Sequence, residues 1–532
     1  MTKLQLTNSV WKAADVLRGS IEPHEYKEYL LPLIFYKYLS DKQLMCLLQI
    51  IGKPTDTLFS VQKSFEVVCR DNDTGHIMLK KIHEKIGYSI RPEFTFMAHI
   101  QSIEHGTFQT KDLEQSLQNI QNSNNIFKDM FEDMDLRSKR FGHTANSNNK
   151  IFSEVLQALS SVENMLDYTQ KELGDAFEKL IADIASASGN KSGEFYTSHS
   201  VNKLLAQIAM HGKQSQSDLC IYDPTMGSGS LLLSTQKHYQ DPYSINFYGQ
   251  EINNSSYNLA RMNMFFHGVP LENQNLKRGD TLGLDWPNEG QTKFDAVLMN
   301  PPYSARWLAE EAYLSDPRFE KFGVLAPKSK ADYSFLLHGY HHLNDAGTMV
   351  ILLPHGVLFR GGSEGKIRQT LLEMNAIDSI IGLPSNLLYG TGIQTAVIVL
   401  KKNRSRNDVL FIDASQEFEK DRSHNILTDS SIESILKTYK ERKNKNKYSH
   451  VATFEEIIGN DYNLNIPRYV DTFEEEEISL DSLSVNINYT QQAIQMVEEE
   501  LTTTLQNLLE IDGQDEKRLE NFIQQYMQSQ KE

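Results

Sequence analysis

Cysteine is scarce in this chain. The three among 532 residues, Cys46, Cys69 and Cys220, lie far apart and form no CxxC pair. That argues against a disulfide framework and a zinc ribbon, and suits a reducing cytoplasm. Positive charge is also short: 53 Lys and Arg against 70 Asp and Glu leave a net charge of −17. A chain this acidic is no general phosphate binder. If it works on nucleic acid, the basic contacts are local or a partner supplies them. Apolar runs of about 18 residues are missing, so no membrane span is expected. The opening MTKLQLTNSVWKAADVLRG has no long apolar core, so no signal peptide is expected. No GxxxxGK[ST] occurs, which argues against an ATP phosphate cradle, and no GxGxxG, which disfavours a nicotinamide enzyme.

What is present is globular: 39% hydrophobic and 23% charged residues. At about 150 residues per domain the length predicts two to four domains, with a core that needs no staple. Residues 1–165 read as a helical domain, with apolar positions at helical spacing in LLPLIFYKYLSDK (30–42). Residues 139–150 (KRFGHTANSNNK) read as an exposed polar loop. From about 190 to 415 short apolar runs alternate with helical stretches. The runs are LCIY (219–222), NFYGQE (246–251), FDAVLMN (294–300), TMVILLP (348–354), DSIIGLP (378–384), TAVIVLKK (395–402) and DVLFID (408–413). This alternation predicts an α/β domain, taken as 166–470, with a mostly parallel sheet and helices on both faces.

Lys437 to Lys447 is a basic run, either a solvated face or a phosphate-contacting patch. Residues 471–532 read as a helical tail. Ile494, Val497, Leu501, Leu505 and Leu508 form one apolar stripe there, and Leu519, Phe522, Ile523 and Tyr526 another. The stripes pack on the chain's own body or on a partner helix.

The segment LCIYDPTMGSGSLLLS (219–234) is a strand, a tight turn and a helix start. Gly227 and Gly229 permit a sharp turn and close approach of a ligand, and Ser228 or Ser230 could cap the helix. Asp223 at the strand end suits an amino group or a cation. Glu251 ends the next strand, where an acid can accept both ribose hydroxyls of an adenosine. A third strand ends at Asp280, which could accept from an adenine amino group. Downstream, FDAVLMNPPY (294–303) is an apolar strand ending in Asn300-Pro301-Pro302-Tyr303. The prolines stiffen the loop and free carbonyls from donors. The Asn300 amide oxygen and the following carbonyl offer two acceptors for the hydrogens of an exocyclic amine. They would favour its pyramidal form and its developing positive charge. Tyr303 offers a ring for a flat substrate to stack on.

Asp-Pro-x-x-Gly-x-Gly followed by Asn-Pro-Pro-Tyr resembles S-adenosylmethionine-dependent amino-methyltransferases acting on adenine N6. The whole chain resembles the modification (M) subunit of type I restriction-modification systems. Trp11 to Gly19, Glu25-Tyr26-Lys27 and Phe35 to Asp41 resemble that family's helical domain. Gly193-Glu194-Phe195-Tyr196-Thr197-Ser198-His199 resembles its motif before the sheet, with Ser198 where members often carry Pro. Gly390 to Thr395 resembles its late loop. The resemblance implies a Rossmann-like methyltransferase domain with a mostly parallel seven-stranded sheet, between a helical N-terminal domain and a helical tail.

It further implies that Glu194, Phe195, Tyr196, Thr197, Ser198 and His199 line the methionine side of the cofactor. Asp223, Gly227, Ser228, Gly229 and Ser230 would form its main loop, with Glu251 at the ribose and Asp280 at the adenine. Asn300, Pro301, Pro302 and Tyr303 would hold a flipped-out target adenine. The implied partners are double-stranded DNA, a specificity (S) subunit flanked by two M subunits, and a restriction (R) subunit; no membrane is implied. A glutamine- or RNA-directed amino-methyltransferase and a non-catalytic cofactor-binding scaffold remain as alternatives.

Overall fold

The computed structural model describes residues 3–52, 57–162, 164–188, 197–239, 241, 244–283, 292–388, 391–421, 424–471, 480–509 and 516–529. Residues 1–471 form one compact unit and 472–532 a second.

The amino-terminal part is helical. Its long helix Tyr26–Ile51 is buried over most of its length. At its centre Lys37 and Asp41 form a buried ion pair of 2.8 Å. Asp41 also accepts the Met165 amide at 3.0 Å, so its charge has two partners in a dry interior. Helix Gln170–Ala187 starts with a capping box, Thr169 against Glu172. Its Phe177 stacks on Phe266 at 4.3 Å, and Phe35 meets Phe265 at 5.4 Å. These contacts extend the helical core onto helix Asn254–Phe266 of the α/β part. Residues 139–150 correct the loop expectation. Phe141 is buried against Tyr29 and Phe152, and Thr144 caps a helix that runs from Ala145 to Ser160. One buried ring and one cap suffice to order a stretch whose composition is polar.

The strands are β1 (Cys220–Asp223), β2 (Asn246–Glu251), β3 (Gln274–Arg278), β4 (Phe294–Met299), β5 (Leu343–Pro354), β6 (Ile377–Gly382), β7 (Thr395–Lys401), β8 (Asp408–Asp413), β9 (Glu419–Asp421), β10 (His424–Ile426) and β11 (Ser449–Thr453). Nine of them form one sheet in the order β11-β8-β6-β7-β5-β4-β1-β2-β3; β9 and β10 form a separate hairpin. β7 is antiparallel to both β5 and β6, and β11 to β8; the other pairs of the large sheet are parallel. The sheet is mostly parallel, as expected, but it holds nine strands rather than seven. All seven apolar runs are strands, and the two beyond them are the edges: β3, the strand expected to end at Asp280, which ends instead at Arg278, and β11. Their sequences, QNLKR and SHVAT, are polar because an edge strand faces solvent and needs no apolar pattern. Apolar layers cover both faces of the sheet.

The second unit consists of helices Leu480–Leu509 and Glu516–Ser529, in contact with each other. Within it Ile494, Val497, Leu501 and Phe522 are exposed, and Ile523 is buried. No helix among the described residues is long and apolar enough to cross a membrane.

Candidate active site

Parallel strands aim their carboxyl ends at one edge of the sheet, where ligands of such folds bind. β1 ends in Asp223, which is 1% exposed and accepts the Thr225 amide at 2.9 Å. The chain then turns through Gly227 (φ +53°) and Gly229 (φ +75°) into helix Ser230–Gln236. Gly229 occupies the N-cap position without a side-chain cap, which corrects the expectation for Ser228 and Ser230. Those hydroxyls bond each other at 2.8 Å, and Ser230 donates to Glu178 at 2.8 Å. Glu178 also accepts from Asn263 at 2.6 Å, and Asn263 donates to the Ser228 carbonyl at 3.0 Å. A carboxylate from helix Gln170–Ala187 thus braces the turn.

Glu251, at the end of β2, accepts the Gly227 amide at 3.1 Å and the Asn253 amide at 2.8 Å. Burial pushes both carboxyls up. Asp223 reaches about 7, with the Glu251 charge adding to the effect. Burial also raises Glu251, against the opposing amides of Asn253, Gly227 and Ile252 and the Lys27 charge. Asp280 lies two residues beyond β3 and accepts the Leu282 amide at 3.0 Å. Its loop is fastened on both sides: Thr281 donates to the Pro224 carbonyl at 2.5 Å, and buried Arg318 donates to the Thr281 carbonyl at 3.0 Å.

Asn300 follows β4. Its amide nitrogen donates to Thr197 Oγ1 at 2.9 Å, and its Oδ1 accepts the Tyr303 hydroxyl at 2.7 Å. Burial holds the Tyr303 phenol far above its ordinary range, so it stays a neutral donor. The next residue, Ser304 (φ +51°), gives its amide to Asp332 at 2.9 Å, and Asp332 pairs with Arg360 at 3.2 Å. Ser198 is 5% exposed, and its hydroxyl has no partner among the described residues. His199 begins helix His199–Ala209, and burial lowers its pKa. Glu194, Phe195, Tyr196 and Gly390 lie outside the described residues.

One cavity of about 620 Å³ joins these strand ends. Of the expected residues, Glu251, Asp280, Asn300 and Pro302 line it; Asp223, Gly227, Gly229, Pro301 and Tyr303 do not. Sequence reasoning missed Lys27, Ile252, Trp307 and Phe335, which also line it. Lys27 comes from the helical part, far in sequence from the rest of the wall; Glu25-Tyr26-Lys27 stands out as a family-like stretch, but nothing local ties it to the cavity. Trp307 sits four residues past Tyr303 and is fixed by its ring N–H on the Pro327 carbonyl at 3.1 Å. Its proximity to the Pro-Pro loop was the available signal. Among the described residues no cluster of His, Cys, Asp and Glu could hold a metal.

Comparison with known proteins agrees with this layout. The N-6 DNA Methylase family matches residues 169–478, and the HsdM N-terminal domain family matches 6–159. The type I restriction enzyme MpnII methylase subunit of Mycoplasma pneumoniae is 32% identical over 507 residues, 90% of this chain and 92% of that one. The MjaVII methylase subunit of Methanocaldococcus jannaschii is 30% identical, over 90% of this chain and 79% of that one. The crystal structure of the type I restriction-modification methyltransferase subunit from Streptococcus thermophilus is 49% identical, with a TM-score of 0.85. The match covers 89% of this chain and all of that one. The chain therefore belongs to the N-6 DNA methylase family, as a methylase subunit of the type I restriction-modification kind.

Proposed function

We propose that this subunit transfers a methyl group from S-adenosylmethionine to N6 of an adenine in duplex DNA. The observation that carries the reading is the shared cavity, which Glu251, Asp280, Asn300 and Pro302 all line. The residues fit the cofactor: two carboxylates for hydroxyl and amino donors, apolar Ile252 and Leu282 for a flat ring, the buried Asp223 at the end of β1, and a Ser198 hydroxyl with no partner among the described residues. Bound there, S-adenosylmethionine would supply an activated methyl group. The work of this chain is positioning. A target base must leave the duplex, because its N6 is otherwise paired and stacked. Its amine then takes the acceptor Asn300 Oδ1, displacing the Tyr303 hydroxyl. That frees the Tyr303 ring for contact with the base. The Asn300 nitrogen, held by Thr197, keeps the amide from rotating, and the acceptor stabilises positive charge developing on the amine. Pro301 and Pro302 keep the loop stiff.

In this reading Glu194 to His199 complete the methionine side of the site. A separate specificity subunit, flanked by two copies of this chain, reads the DNA in the cytoplasm, and a restriction subunit joins the full complex. The net charge of −17 is consistent with delegated recognition. The tail beyond about 475 docks on that partner through its exposed apolar stripe. The test is N6-methyladenine mapping by single-molecule sequencing of the source genome with and without this gene. Loss of methylation at one split recognition site is expected. An unchanged methylome from an expressed gene would reject the reading.

A further inference from the structure

The opposite edge of the sheet carries a feature that methyl transfer does not use. The parallel strands begin there, and antiparallel β7 ends there. Two adjoining cavities of about 480 and 530 Å³ share Lys402 and Asn403. The first is lined by Lys401, Lys402, Arg404, Arg406, Lys440 and Arg442, and the second by Lys293, Lys321, His341 and again Lys402. Arg404 and Arg442 are committed to the frame, on Asp378 at 3.3 Å and Asp408 at 2.6 Å. By contrast, Lys321, Lys402, Arg406 and Lys440 form no ion pair among the described residues. Lys402 donates only to the Leu343 carbonyl, at 2.5 Å. Tyr439, 5% exposed, lines the first cavity with a hydroxyl that has no hydrogen-bond partner among the described residues. Asp378, Glu441, Glu320 and Asp345 also line the two cavities, but nine lysines and arginines against these four acids leave the groove positive in a chain of net charge −17.

We propose that this groove is a second nucleic-acid contact, in which lysines and arginines hold the phosphates of a DNA backbone without reading its sequence. The row exceeds what one phosphate needs, since cations line both cavities and Lys402 bridges them. The exposed cations stand where phosphates of a passing duplex can meet them. An acidic protein partner fits less well. A protein interface needs apolar anchors at its centre, and Met374 is the one exposed large apolar residue that lines the groove. The contact concerns DNA binding alone, so it stands or falls separately from methyl transfer.

The experiment measures binding of the full chain to a labelled duplex of mixed sequence, without cofactor, across a salt series. The variant is Lys321→Gln/Arg406→Gln/Lys440→Gln, whose three side chains are exposed and unpaired. Each phosphate contact adds about 0.9 to the slope of log K against log salt. The variant should therefore lose about 2 to 3 units of slope and bind at least about tenfold more weakly near 0.1 M salt. Its affinity for S-adenosylmethionine should be unchanged, which controls for folding. Unaltered DNA affinity and slope would overturn the proposal. So would polyglutamate displacing the duplex as well as DNA does, which would mark a site for an acidic protein. Full displacement by millimolar inorganic phosphate at constant ionic strength would reduce the groove to a single-anion site and overturn it as well.

Discussion

The two edges of the sheet are chemical opposites. At the carboxyl ends, Asp223 is buried and Glu251 half-buried, and both rise in pKa, Asp223 to about 7. At the amino ends, Lys402 is half-buried beside Lys293 and Lys321 and falls to about 8, with Asp345 opposing the shift. Burial penalises charge of either sign, and like neighbours add to the penalty. The same cause thus leaves one edge poised to receive donors and cations, and the other to receive anions. A single net charge for the chain conceals this division.

The comparison can be broken most sharply at Asn300. Replacing it with Ala removes the proposed acceptor and should lower methylation by on the order of 10²–10³-fold. Cofactor affinity measured by titration calorimetry should stay nearly intact. Normal methylation by the variant would remove Asn300 from the mechanism.

Next in size is the tail. A chain ending near 475 should keep its DNA and cofactor affinities but fail to co-purify with the specificity subunit. Normal co-purification would sink the docking role.

Smaller effects separate the edges by pH. Asp223 has its folded pKa raised from near 3.9 to about 7. The stability of the unliganded protein should therefore fall as pH rises across that window, and Asp223→Asn should flatten the decline. Cofactor affinity should move the other way, tightening as Asp223 ionises through about 7. Equal slopes for wild type and variant would refute the assignment.

Lys402 has the smallest expected effect. DNA affinity should weaken as pH rises through about 8, where Lys402 discharges. Lys402→Arg keeps its charge and should lose much of that dependence. Opposite pH trends for cofactor and DNA are the signature of the divided sheet.

Much of this molecule was legible from the chain. The run NFYGQE is β2 residue for residue, and TAVIVLKK differs from β7 by one position, because buried strands must be apolar. Polar edges were less legible. β11 carries no apolar pattern, and the helix from Ala145 hides in a sequence that reads as loop. The basic run from Lys437 also divides. Arg442 is spent on Asp408, and Lys440 faces the groove. Composition cannot separate a cation used for scaffolding from one left for a ligand.

The sequence by itself determined the strand-turn-helix of the glycine loop, the stiff Asn-Pro-Pro-Tyr turn and the acids at successive strand ends. Each depends on local backbone preferences and neighbouring residues. The tertiary structure alone decided which residues share a space. Lys27 reached the cavity wall because helix Tyr26–Ile51 packs on helix Asn254–Phe266. Tyr303 turned its hydroxyl onto Asn300. The groove formed because β7 runs against its neighbours, carrying Lys401 and Lys402 to the edge where the parallel strands begin. Strand direction is set by long-range pairing, and no local pattern of residues encodes it.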